Sequence, residues 1–282
     1  KSYVATKGYP AFTEEINYIN GHNYHIYRDN QKLSVPSTLG EGCEPLVGKV
    51  KVDHTKVQNA VAFETYNSAG ELIRITMYGL GSDDAHSYTQ VLYPADDHIE
   101  GKSLRLKQQY FFVSASIQSI IKRHFKTNPS LDNLADCVAI HINDTHPTLC
   151  IPELMRILLD DYGYSWEKAW DIVTHTVSYT NHTVMAEALE KWPQDLFQSL
   201  LPRVYQIVQE INQRFCGELW NVYPNNWETV NHNAVLGDGQ VRMANLCLAT
   251  SHTINGVSQL HSDILKKDVF SDYYKMHPEK FT

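Results

Sequence analysis

Long apolar runs, paired cysteines and the common nucleotide-binding and catalytic signatures are all missing from this chain. No stretch approaches the roughly 18 apolar residues that a membrane span needs. The run around Tyr110-Phe111-Phe112-Val113 is soon broken by Ser114 and Ser116. No apolar segment follows Lys1-Ser2-Tyr3-Val4 as it would in a secretory signal. The five cysteines, Cys43, Cys137, Cys150, Cys216 and Cys247, are odd in number, widely spaced and without a CxxC pair. Neither a zinc knuckle nor a disulfide framework is expected, and reduced thiols in a cytoplasmic protein are the plain expectation. No P-loop, GxGxxG, HExxH or GxSxG occurs, so dinucleotide enzymes, metalloproteases and α/β-hydrolases lose their usual support. The 14 histidines do not stand in a ligand spacing on one helix face, and no metal site is expected. Net positive charge is missing too. Lys plus Arg is 24 against 32 Asp plus Glu, a balance of −8. Such a chain has no general attraction to nucleic acid or to an anionic membrane. The one basic cluster, Lys122-Arg123-His124-Phe125-Lys126, is short.

The 282 residues suffice for about two domains. Hydrophobic residues at 43% and charged residues at 20% exclude a disordered chain. Residues 1–88 form a β-rich segment by pattern. Asn23–Arg28, Val61–Tyr66 and Leu72–Tyr78 are strand-like, and Asn67–Glu71 supplies turn chemistry between the last two. Residues 89–282 alternate differently. Apolar residues from Leu104 to Ile121 recur at helical spacing, predicting a long helix to Lys126. Val138–Ile142 suits a buried parallel strand. Ile151 to Leu159 gives a helix face with Pro152 in its first turn. Ser165 is an expected N-cap for a helix through Val173. Thr176–Thr180 is the next strand. Leu196–Phe215 and Gly256–Lys267 are further helices, and Ser251–Gly256 is expected to be a helix end and a break. Alternating strands and helices predict an α/β fold with a parallel sheet. Such sheets bind ligands at the carboxyl ends of their strands. That points to Asn143-Asp144-Thr145-His146 and Asn181-His182-Thr183.

Taken singly, each polar loop has an ordinary explanation. Asp144 and Thr145 can satisfy backbone N–H groups of a turn. Tyr93-Pro94-Ala95-Asp96-Asp97-His98 offers two carboxylates beside an imidazole, yet Pro-x-Asp-Asp is also common turn composition. His252, alone, suits a hydrogen-bonded turn histidine. Asn143-Asp144-Thr145 and Asn181-His182-Thr183 fit the glycosylation sequon, by accident in a chain without a secretory signal.

Together the loops are more specific. Leu92-Tyr93-Pro94-x-Asp96, Glu100-Gly101-Lys102-x-Leu104-Arg105-Leu106-Lys107-Gln108-x-Tyr110-Phe111 and Ile142-Asn143-Asp144-Thr145-His146-Pro147-x-Leu149-x-Ile151-Pro152-Glu153-Leu154-Met155-Arg156 resemble the α-glucan phosphorylases. So do Tyr179-Thr180-Asn181-His182-Thr183-Val184, Glu187-Ala188-Leu189-Glu190-x-Trp192-Pro193, Glu210–Phe215 and Ser251-His252-x-x-Asn255-Gly256-Val257 with His261-Ser262. The resemblance spans about residues 90–282.

The resemblance implies the Rossmann-like N-terminal half of a two-domain glycosyltransferase-B-type fold, a homodimer when complete, and a cytoplasmic enzyme. The family transfers a glucosyl unit from an α-1,4-glucan to inorganic phosphate and uses pyridoxal phosphate. The cofactor's lysine is expected in a second domain beyond Thr282, not in this chain, which is expected to be a fragment. By position, Asp96 is implied as the active-site loop aspartate. Asp97 and Arg105 lie on that loop and on the helix beneath it. Asp144 and His146 are implied sugar contacts, and His252 a residue whose carbonyl faces the glucosyl 6-hydroxyl. Asp96 and His252 are therefore the catalytic candidates, and Asp97, Arg105, Asp144 and His146 the substrate-binding ones. Where the family often has Asn-Asp-Asn, this chain has Ala95-Asp96-Asp97, which adds a negative charge near a phosphate site. Thr76–Leu92 is too short for the long helix of regulated members, so their allosteric behaviour is not expected. The rivals are a non-catalytic α-glucan-binding domain, a glycosyltransferase using a nucleotide sugar, and a hydrolase. The last is disfavoured because adjacent carboxylates seldom flank one glycosidic bond.

Overall fold

The computed structural model describes residues 98–282, apart from the Ala186 side chain, and the backbone of four earlier strands. Asp96 and Asp97 lie outside the described residues. The strands are β1 (Glu15–Ile19), β2 (His22–Pro36), β3 (Val57–Tyr66) and β4 (Leu72–Leu80). They pair antiparallel in the order β1-β2-β3-β4. With α1 (Ile99–His124) they belong to one compact unit, and residues 127–282 belong to a second.

Helix α1 starts five residues before the apolar pattern that begins at Leu104, and His98 caps it. The His98 Nδ1 accepts from the Gly101 N–H at 3.0 Å. Glu100 in the first turn and Lys122, Arg123 and His124 in the last oppose the helix dipole favourably. Leu106, Tyr110, Val113, Ile117 and Ile121 are buried along one face, the three-and-four spacing that marked the helix in the sequence.

The second unit is α/β. Its sheet has the order β10-β6-β5, with β5 (Ile140–Asn143), β6 (Val177–Asn181) and β10 (Thr253–Gly256) all parallel. Ile142, Tyr179 and Ile254 stand in one cross-strand row, and each is fully buried. The flanking rows are polar: His141, Ser178 and Thr253, then Asn143, Thr180 and Asn255. Side chains alternate faces along a strand, so one face is apolar and the other hydrogen-bonding. That differs from the two-sided burial usual for parallel strands.

Helices α3 (Cys150–Arg156), α4 (Trp166–Thr176) and α6 (Pro202–Val222) supply the core. Before them, α2 (Leu134–Cys137) is a single turn. Helix α3 runs on to Asp161 in a wider turn, closed from the Tyr162 N–H to the Ile157 carbonyl at 3.1 Å. Ser165 caps α4 as its sequence predicts, accepting from the Lys168 N–H at 3.3 Å. Val204, Ile207, Val208, Ile211, Phe215 and Leu219 bury the inner stripe of α6.

Three expectations are corrected. The helix expected over Leu196–Phe215 is two, α5 (Gln194–Leu200) and α6. Pro202 has no N–H and disfavours helical backbone at the preceding Leu201, which sits at φ −132°, ψ 57°. Helices α7 (Trp227–Asn233) and α8 (Met243–Thr250) follow. Next, Ser251 does cap the end of α8, but the expected break after it is a strand: Thr253–Gly256 is β10. Finally, the last long helix starts at Gln259 rather than Gly256. It is α9 (Gln259–Ile264), continued by a wider turn to Val269 and then by α10 (Ser271–Met276). A small antiparallel sheet, absent from the sequence expectations, joins β7 (Lys191–Pro193), β9 (Gln240–Arg242) and β8 (Leu236–Gly237). Its hairpin turns at Asp238 and Gly239, at φ 51° and 69°, the backbone that favours Asp-Gly.

Cys137, Cys150, Cys216 and Cys247 are free thiols. Burial pushes the Cys150 thiol up to about 12. Among the described residues no cluster of three or more His, Cys, Asp or Glu could hold a metal ion. No described helix is long and apolar enough to cross a membrane.

Candidate functional site

The parallel sheet brings three loops to its carboxyl edge. They follow Asn143, Asn181 and Gly256. The first begins with a tight turn. Asp144 sits at φ 65°, a backbone that Asp tolerates better than most residues. Its N–H donates to the Thr180 carbonyl at 2.9 Å, which extends the β5–β6 ladder by one bond. Its Oδ1 accepts from the Thr145 N–H at 2.7 Å. So the ordinary turn role is filled, but by one oxygen only. The other, Oδ2, lies 4.0 Å from the His146 Nε2. Both side chains reach solvent, His146 being 54% exposed and Asp144 28%.

The second loop meets the first. The His182 Nε2 lies 2.6 Å from the Asn143 Oδ1. An amide oxygen only accepts, so this ring nitrogen carries the proton. Both residues are exposed. Buried Asn181 holds the loop from below: its Oδ1 accepts from the Thr183 N–H and its Nδ2 donates to the Tyr179 hydroxyl, each at 2.9 Å. Burial pushes that phenol well above its ordinary range.

The polar sheet face behind these loops is joined by one directional chain. The Thr180 hydroxyl donates to the Asn255 Oδ1 at 2.9 Å. It must therefore accept from the His141 Nε2, 2.6 Å away. The His141 Nδ1 in turn lies 2.9 Å from the Ser178 hydroxyl. The chain crosses all three strands.

The sequence candidates divide accordingly. Asp144 and His146 come together at the carboxyl edge. His252 does not join them. It precedes β10, and its N–H donates to the carbonyl of Val177, the first residue of β6, at 3.1 Å. It thus stands at the amino edge, with a whole strand between it and the loops. Arg105 is a half-buried residue of α1, in the other unit. His182 and Asn143 were not singled out as site residues, although both sit where the strand-end rule points.

The model of the carbohydrate phosphorylases matches residues 47–282. The chain belongs to the carbohydrate phosphorylase family. It is 52% identical over 198 residues to the glycogen phosphorylase of Bacillus subtilis, covering 70% of this chain and 25% of that protein. It is 43% identical over 248 residues to the muscle-form glycogen phosphorylase of Ovis aries, covering 84% of this chain and 29% of that one. The glycogen phosphorylase of Synechocystis is 45% identical over 210 residues, 73% of this chain and 25% of that protein. This phosphorylase chain therefore spans 25–29% of the length of these relatives. Its carboxyl-edge loops offer a carboxylate, two imidazoles and an amide. That set can exchange hydrogen bonds with neutral polyhydroxyl ligands.

Proposed function

We propose that this chain forms one wall of the active-site cleft of an α-1,4-glucan phosphorylase, which transfers a terminal glucosyl unit to inorganic phosphate and releases glucose 1-phosphate. One observation carries the reading: in a chain of the phosphorylase family, Asp144, His146 and His182 converge at the carboxyl edge of the parallel sheet. Their role is positioning. Carboxylate and imidazole groups paired to sugar hydroxyls discriminate strongly against ligands lacking them, because the site's own polar groups are then left unpaired.

Pyridoxal phosphate, when bound, supplies through its phosphate group the acid–base partner of the substrate phosphate. The described residues do not fit it as holders. A Schiff-base lysine needs a desolvated amine; burial does push the Lys280 amine below its ordinary range, but that amine is already engaged. Lys266 and Lys267 lie in the partly exposed turn after α9, and the Lys280 Nζ donates to the Tyr273 hydroxyl at 3.0 Å.

The proposal extends to Asp96 and His252 as catalytic residues and to Asp97 and Arg105 as substrate-binding ones, to the Rossmann-like half of a glycosyltransferase-B-type architecture, and to a β-rich segment over residues 1–88 joined to an α/β core over 89–282. It also extends to a cytoplasmic homodimer. The test is substitution in the complete protein. Asp144→Ala and His146→Ala are each expected to lower kcat/KM for glycogen by at least about tenfold, the cost of one hydrogen bond to a charged group or more. Unchanged rate constants in both would contradict the assignment.

A further inference from the structure

His261 is 7% exposed and lies in the first turn of α9, outside the site as drawn so far. Its ring spans two of the three carboxyl-edge loops. The Nδ1 accepts from the N–H of Val257, in the loop after β10, at 3.2 Å. The Nε2 lies 3.3 Å from the carbonyl of Thr183, in the loop after β6. A carbonyl only accepts, so Nε2 carries the proton and Nδ1 is free to accept. Both contacts therefore require the same neutral tautomer, and one ring satisfies both.

The ring is seated against backbone. A Cβ at Gly256 would lie 2.7 Å from the His261 Cγ and 2.8 Å from the Ser262 N. Its neighbours close the turn. The Ser262 hydroxyl accepts from the Gly256 N–H at 2.9 Å, and the Ser258 hydroxyl caps α9 by accepting from the His261 N–H at 3.2 Å. On the far side, Thr183 adjoins His182, whose ring reaches Asn143 at 2.6 Å. Asn143 in turn precedes Asp144. The three strand ends are thus tied in series: β10 to β6 through His261, and β6 to β5 through His182.

We propose that His261 is a positioning residue for the sugar-contacting edge: it clamps the Thr183 carbonyl to the loop after β10 and so fixes where His182 presents its ring. This rests on the functional reading above, that the edge contacts glucan.

The two halves of the clamp can be removed separately. In His261→Asn the side-chain oxygen replaces Nδ1 and keeps the Val257 bond, but nothing reaches Thr183. In His261→Gln the amide N–H reaches the Nε2 position and keeps the Thr183 bond. Two readouts are taken on the complete protein: hydrogen–deuterium exchange of peptides covering residues 182–190, and the kcat and KM for glycogen in phosphorolysis. The expected result is faster exchange in His261→Asn, with KM raised about five- to tenfold (the worth of one hydrogen bond) and kcat changed less, while His261→Gln restores both readouts toward wild type. Unaltered exchange in His261→Asn would overturn the clamp. Faster exchange with KM unchanged would overturn its role in the site. Equal damage in both variants would also overturn it, since general misfolding does not distinguish the two halves. Failure of the wild-type protein to phosphorolyse glycogen removes the functional reading itself, and is recognised because the exchange difference between the two variants would survive it.

Discussion

Asp144 shows how one side chain can serve a turn and a site at once. Its Oδ1 is used by the Thr145 N–H while Oδ2 faces His146. The sequence indicated both roles, because Asn-Asp-Thr-His after an apolar strand fits a turn and a ligand loop equally. It did not indicate His261, whose part depends on the Thr183 carbonyl, 78 residues away in the chain. Gly256 makes a sharper test at this scale. A methyl there would meet the imidazole and the backbone of Ser262 at under 3 Å, and the backbone cannot swing aside as a flexible side chain would. Gly256→Ala is expected to destabilise the protein by about 1–3 kcal/mol, the usual cost of overpacking. A denaturant titration showing no loss would mean that the ring does not sit against Gly256.

Among the elements, α3 and α6 are held by buried ion pairs. The Arg203 Nε and Nη2 donate to the two Asp160 oxygens at 2.9 and 2.7 Å, with each side chain only 1% exposed. The Arg156 guanidinium similarly takes both Glu153 oxygens, at 2.9 and 3.0 Å. A buried charge stripped of its partner is costly. Asp160→Ala should therefore cost about 3–5 kcal/mol, whereas replacing both partners with apolar residues of similar volume should cost much less. Equal losses from the single and double substitutions in chemical denaturation would contradict this account. Element legibility followed local signals. Ser165 capping α4 and the long stripe of α1 could be read because their causes are local. Strand β10 could not, since Ile254 is its only buried apolar side chain and its strand character comes from pairing with β6. The β8–β9 hairpin was readable in principle from Asp238-Gly239, but strands of two and three residues carry almost no pattern of their own.

For the molecule as a whole, the alternation of strands and helices made the α/β class legible, and the motifs spread over residues 90–282 pointed to the family whose model matches residues 47–282. Position within the sheet was less legible. Asp144 and His252 both sit in polar loops beside strands, yet they lie at opposite edges, and strand direction alone separates them. A net charge of −8 gives this chain no general attraction for a polyanion. The central claim is phosphorolysis. The measurement that tests it most directly is glucose 1-phosphate released from glycogen by the complete protein, with and without inorganic phosphate. The account predicts product that appears only with phosphate. Reducing sugar released without phosphate, or no product under either condition, would contradict it.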